Sequence, residues 1–146
     1  MTRPARGCYH RGMAGSACAL FHRFHEAWTD GDLAAVLAMT DPDVVVHPLH
    51  GVMYSQMEFR GHDGMRTWYG EMTEPWERFE ALVEHVVDTE AGATGVVRMV
   101  AHRDGEGLFA RIGVDMEVRD GRVAALTARD VEDLEAELGI ARDDDA

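Results

Sequence analysis

The hydrophobic period of this chain changes once, near its middle, and that change constrains the fold more than any other feature of the sequence. Up to about residue 75, apolar residues recur at three- and four-residue spacing; from Phe79 to Arg129 they alternate. The first period belongs to helices packed by one stripe, the second to half-buried strands. Helices followed by strands make an α+β chain, with the helices gathered against an antiparallel sheet.

Ser16 suits the N-cap of a helix whose Ala17, Leu20, Phe21, Phe24, Ala27 and Trp28 share a face. Asp30-Gly31-Asp32 ends it and opens a short second helix with Leu33, Val36 and Leu37 inward. Asp41-Pro42-Asp43 is expected to break that helix. Val44 to His47 reads as a short strand stopped by Pro48, and 49–60 as a loop. Gly61-His62-Asp63-Gly64 leads into a third helix carrying Met65, Trp68, Tyr69 and Met72, ended by Pro75. Strands follow over 79–88, about 94–103 and 110–118. Asp120-Gly121 then marks a tight hairpin into a strand ending near Arg129. A closing helix spans 131–138, with Gly139 past its end. Three helices cannot cover both faces of four long strands. The sheet should curl around them and leave a conical interior with room for a small molecule.

At 146 residues the chain fits one domain, placed at 16–139 between an N-terminal extension read as disordered (1–15) and an acidic tail (140–146). The net charge of −13 argues against a nucleic-acid surface, which needs clustered Lys and Arg. No apolar run approaches the roughly 20 residues that span a bilayer, and no apolar stretch follows Arg3, Arg6 and Arg11 to make a secretory signal. Cys8 and Cys18 form neither a disulfide framework nor a metal motif. A cytoplasmic protein with reduced thiols is the simplest expectation. The eight histidines are scattered, and His22 with His25 is half a metal site at most, so neither a metal nor a cofactor is expected.

Four segments in order resemble the nuclear transport factor 2-like superfamily and, within it, the SnoaL-like polyketide cyclase group. They are Phe24-His-Glu-Ala-Trp-Thr-Asp-Gly-Asp-Leu33, Asp41-Pro-Asp-Val-Val-Val-His-Pro48, Phe59-Arg-Gly-His-Asp-Gly-Met65 and Val118-Arg-Asp-Gly-Arg-Val123. The resemblance implies a cone-shaped, cystatin-like α+β fold in which a curved antiparallel sheet wraps helices around an internal pocket. It also implies a homodimer, joined by outer sheet positions expected at Leu82, Val86, Val97 and Met99.

That superfamily hosts enzymes and non-catalytic binders alike, so function rests on the pocket residues. The ketosteroid-isomerase-like set is not kept: Phe24 stands where a tyrosine donor belongs, and Val114 where the second acid falls. The epoxide-hydrolase-like set fails too, its charged positions matching Met99, Ala101 and Ala128. What survives is His47 before Pro48, which resembles the family's base position and carries a side chain able to exchange protons near neutral pH. A core or rim histidine with a satisfied hydrogen bond is the other reading.

His85 shares a face with Phe79, Ala81 and Val83 if no bulge intervenes, and it joins His47 as a candidate catalytic residue. Asp130 is the third, on the parity of Leu126 and Ala128, and is equally suited to capping the closing helix. His102 is a candidate for ligand contact, with Phe24, Trp28, Tyr54, Trp68, Tyr69, Val114 and Met116 as the lining. Met53, Tyr54 and Met57 in the long loop read as a lid. The expected function is binding of a small hydrophobic ligand, with cofactor-free acid–base chemistry of cyclase, isomerase or dehydratase type. The alternative is a non-catalytic ligand-binding or dimeric interaction module. No nucleic-acid or membrane partner is expected.

Overall fold

The structure, a computed structural model, describes residues 16–49 and 55–139. The expected extension, the acidic tail, and Met53 and Tyr54 of the expected lid lie outside these residues. Helix α1 (Ala17–Thr29) starts at Ser16, whose Oγ accepts the Ala19 N–H at 3.1 Å. Asp32 caps α2 (Leu33–Ala38) in the same way, accepting from Ala35 N at 3.0 Å. The order continues with β1 (Thr40–His47), β2 (Phe59–Arg60), α3 (Gly61–Thr73), β3 (Arg78–Asp88), β4 (Gly92–Arg103), β5 (Glu106–Arg119), β6 (Arg122–Arg129) and α4 (Val131–Leu138).

The strands form one sheet in the order β2-β1-β6-β5-β4-β3. The long strands β3 to β6 pair antiparallel, as their alternation and the Asp120-Gly121 turn require. Two departures from the sequence expectations lie at the other edge. β1 begins at Thr40, running through Pro42 instead of being delayed by it, and it pairs parallel with β6. Its register shifts between Thr40 and Val45, so the amide that Pro42 lacks falls where the ladder is interrupted. β2 is two residues long, too short to carry a period, and pairs Phe59 with Val46.

α1 lies across the inner face of the sheet and buries Leu20, Phe21, Phe24, Ala27 and Trp28 in one core with Val44, Val46, Phe59, Met65 and Met116. Close approach of backbone is decisive at two glycines. A Cβ on Gly95 would meet the His85 carbonyl oxygen at 2.3 Å and the Phe21 ring at 3.0 Å. Gly95 therefore admits both the bulge of β3 and the ring of α1. On the outer face a Cβ on Gly113 would meet Leu134 of α4 at 2.8 Å, so that glycine is the seat of the closing helix. Arg111 fixes the helix further, pairing with Glu84 at 2.8 Å and with Glu135 of α4 at 2.9 Å.

The outer-face expectation needs correction. Arg98 turns outward to Glu84 at 3.0 Å, so its neighbours Val97 and Met99 turn inward. Val97 and Val86 are buried in the core, and of the four expected outer positions only Leu82 is exposed. Among the described residues, the large apolar side chains at the surface are Met57, Leu82, Leu108 and Phe109. Cys18 is also not the reduced thiol expected: it is buried and is not free. No helix among the described residues is long and apolar enough to cross a membrane.

Candidate functional site

Between α1, α3 and the concave face of the sheet lies a cavity of about 40 Å³. Its walls are Phe24, His25 and Trp28 from α1, Trp68 and Met72 from α3, Val46 and His47 from β1, and inward residues of β3 to β6. Sites that engulf drug-sized ligands run to roughly 300–1,000 Å³, so this interior is close to filled by its own side chains. Trp28 packs edge to face against Trp68 at 5.0 Å and, tilted, against Tyr69 at 4.7 Å and Phe79 at 6.2 Å between ring centres. Methionines at 72 and 99 are flexible wall elements that can yield.

His47 stands where β1 ends, and its side chain is 47% exposed at the rim. β1 and β2 are paired at Val45 and Arg60, which brings Glu58 beside it. His47 Nε2 and Glu58 Oε1 are 2.9 Å apart. A carboxylate only accepts, so Nε2 carries the proton and the lone pair of the neutral ring sits on Nδ1. Glu58 also receives the Arg60 guanidinium. The hydrogen bonds from His47 first, and then from Arg60, hold its carboxyl below the usual range and keep it ionised. An exposed pair of this kind contributes little to stability. What it does is fix the tautomer and direction of the His47 imidazole.

His25 is the polar residue that the sequence reading did not place in the lining. It is 7% exposed, and its Nδ1–H donates to the Phe21 carbonyl at 2.8 Å, leaving Nε2 as an acceptor. Burial drives its pKa down to about 4, against the opposing pull of the Phe21 hydrogen bond. It is neutral at physiological pH. The signal was present in the sequence, since His25 sits within the buried stripe of α1 between Phe24 and Trp28. Glu58 carried no such signal, because only the β1–β2 pairing makes it a neighbour of His47.

The structure brings His47, Phe24, Trp28, Trp68 and Val114 onto this one cavity and leaves the other candidates elsewhere. His85 is turned off the inner face by a register shift between Val83 and His85, after which Val86 takes the inward position. His102 is exposed near the end of β4, on the outward parity of Arg98. Asp130 is the exposed N-cap of α4, accepting from Glu132 N at 2.8 Å. Met116 is in the core but not on the cavity, and Tyr69 lines a separate surface groove with Gly31 and Trp76. Tyr54 lies outside the described residues. Met57 of the expected lid is 78% exposed. Among the described residues no three of His, Cys, Asp and Glu gather as a metal site.

Residues 21–126 match the family model of the SnoaL-like domain, well over half of the chain. This chain belongs to the SnoaL-like family. Solved structures agree on the fold. Bal32a, from a soil-derived mobile gene cassette, superposes with a TM-score of 0.70 at 21% identity, over 77% of this chain and 87% of its own. A Xanthomonas campestris protein with a cystatin-like fold gives 0.69 at 16% identity, over 87% and 99%. A protein from the pathovar campestris of that species, proposed to be a polyketide cyclase, gives 0.62 at 22% identity, over 84% and 96%. No protein of curated function matches. In this SnoaL-like domain, His47 is thus a rim histidine held by a carboxylate, beside an apolar cavity with no carboxylate in its wall.

Proposed function

We propose that this SnoaL-like domain binds a small apolar molecule at the cavity and, without a cofactor, moves a proton on it, His47 acting as general base. The observation that supports the reading is the His47–Glu58 pair at the mouth of an apolar wall. Nδ1 of the neutral ring takes the proton, and Glu58 stabilises the imidazolium that results. Cyclase, isomerase and dehydratase reactions all contain such a step. A cyclase-type reaction is favoured by the likeness to the proposed polyketide cyclase.

A proton-transfer reporter tests this without knowledge of the natural substrate. Removal of the C3 proton of 5-nitrobenzisoxazole breaks its N–O bond and releases the coloured 2-cyano-4-nitrophenolate. The protein is expected to accelerate this reaction with saturation, and toluene, which can only occupy the apolar wall, is expected to inhibit competitively. No rate above buffer, or a rate indifferent to toluene, contradicts the proposal.

A second reading, a binder without turnover, is favoured by one observation. The wall offers no second acid or base group to work beside His47, since burial holds His25 neutral. Competitive binding of toluene with no proton transfer would establish it.

A further inference from the structure

The cavity wall holds two donors that the protein itself leaves unused. Nε1 of Trp28 and Nε1 of Trp68 are both buried and neither has a hydrogen-bond partner. Trp28 is 4% exposed, the two rings meet edge to face at 5.0 Å, and both line the cavity. An indole N–H can only donate, so neither group can satisfy the other. Leaving a buried donor unmade forfeits its hydration with nothing in return, and native proteins leave few such groups without a use. Two of them in adjacent rings of one apolar wall define a place for an acceptor oxygen.

We infer that the Trp28 and Trp68 indole N–H groups form a binding site for a carbonyl or enolate oxygen of a small apolar ligand. The rest of the wall supports an oxygen over other acceptors. His25 is neutral and presents an acceptor, and the remaining residues are apolar except His47 at the rim, so no cationic group is there to favour a carboxylate or phosphate. A ketone oxygen asks only for neutral donors. If its α-proton is removed, the same donors meet the enolate oxygen, where hydrogen bonds strengthen as charge develops. The inference names the ligand chemistry of the cavity proposed above and rests on that reading for location, not for turnover.

The test uses cyclohexanone and its isostere methylenecyclohexane, in which a CH₂ group replaces the oxygen. In protein labelled with ¹⁵N at the indole nitrogens, the three tryptophan side chains give three N–H signals, and Trp76, stacked with Arg103 away from the cavity, is the internal control. Cyclohexanone is expected to move the Trp28 and Trp68 N–H signals downfield and to leave Trp76 in place, while methylenecyclohexane produces no downfield shift. Trp28→Phe and Trp68→Phe should each reduce the preference for ketone over alkene by about three- to tenfold, the worth of one net hydrogen bond. The downfield shifts should persist in His47→Ala, which separates this site from the proton-transfer reading. Equal binding of ketone and alkene, a ketone that binds without moving the two signals, or no ketone binding at all overturns the inference. The last result would mean that water alone serves these donors.

Discussion

Replacing His47 by alanine is expected to slow proton transfer from the benzisoxazole reporter by about 10²- to 10⁴-fold, the range typical of a positioned general base. The fold should be unaffected, because His47 is half exposed and its hydrogen-bond partner Glu58 is also solvent-accessible. Melting temperatures of the two proteins should therefore coincide within a few degrees. Glu58→Gln is expected to give a smaller loss. An amide can still accept from Nε2–H, so the ring keeps its direction, but it cannot balance the charge of the imidazolium. Added imidazole should restore part of the His47→Ala rate, because the missing group is a soluble base. A rate unchanged in His47→Ala would assign the chemistry elsewhere or nowhere.

Stability should fall between pH 6.5 and about 4, and His25 should be responsible. Its pKa in the folded protein is about 4 against 6.5 for the free side chain, because burial penalises the charged ring. As pH falls below 6.5 the unfolded chain takes up the proton first. Stability is then fully present above 6.5, declines through the window and levels off below about 4. The gap between the two values corresponds to about 3 kcal/mol, a large share of the stability of a domain this size. The depressed carboxyls of Glu58, Glu84 and Glu137 act lower down, their contributions being lost only as pH falls through values below 4.5. The stretch from 6.5 to 4.5 thus isolates the histidine. His25→Gln, whose amide can still donate to the Phe21 carbonyl, should flatten that stretch in urea unfolding series. A variant with the same slope as the parent would show that the ring is hydrated or already protonated.

The α+β class, the helices and the four long strands were legible because their signals are local. Ser16 caps the helix it was expected to cap, the Asp30-Gly31-Asp32 turn opens the second helix as expected, and the period-two alternation of β5 survives into the structure as Ile112, Val114 and Met116 facing in. What the sequence concealed depends on partners. A bulge cannot be read from β3 alone, because it is admitted by Gly95 on the neighbouring strand, and that bulge removes His85 from the site. The facing of β4 turned on Arg98 finding Glu84, one strand away. Glu58 became the partner of His47 only through a two-residue strand with no period of its own. His25 was legible but was weighed for metals, when its position in a buried aromatic stripe was the stronger fact. The size of the interior was the least legible quantity. Counting aromatics on inward positions suggests a lined pocket, yet the same rings occupy the space they line.

The central claim is that the apolar cavity beneath His47 is where a ligand sits. Methionine methyl groups report on it directly, because Met72 and Met99 line the cavity, Met65 and Met116 are buried away from it, and Met57 is out in solvent. With ¹³C-methyl methionine, toluene is expected to shift the Met72 and Met99 signals together, with nuclear Overhauser contacts from the ring to both. The signals of Met57, Met65 and Met116 should stay in place. Toluene that shifts Met57 and spares Met72 and Met99, or that moves no methyl up to its solubility limit, contradicts the account.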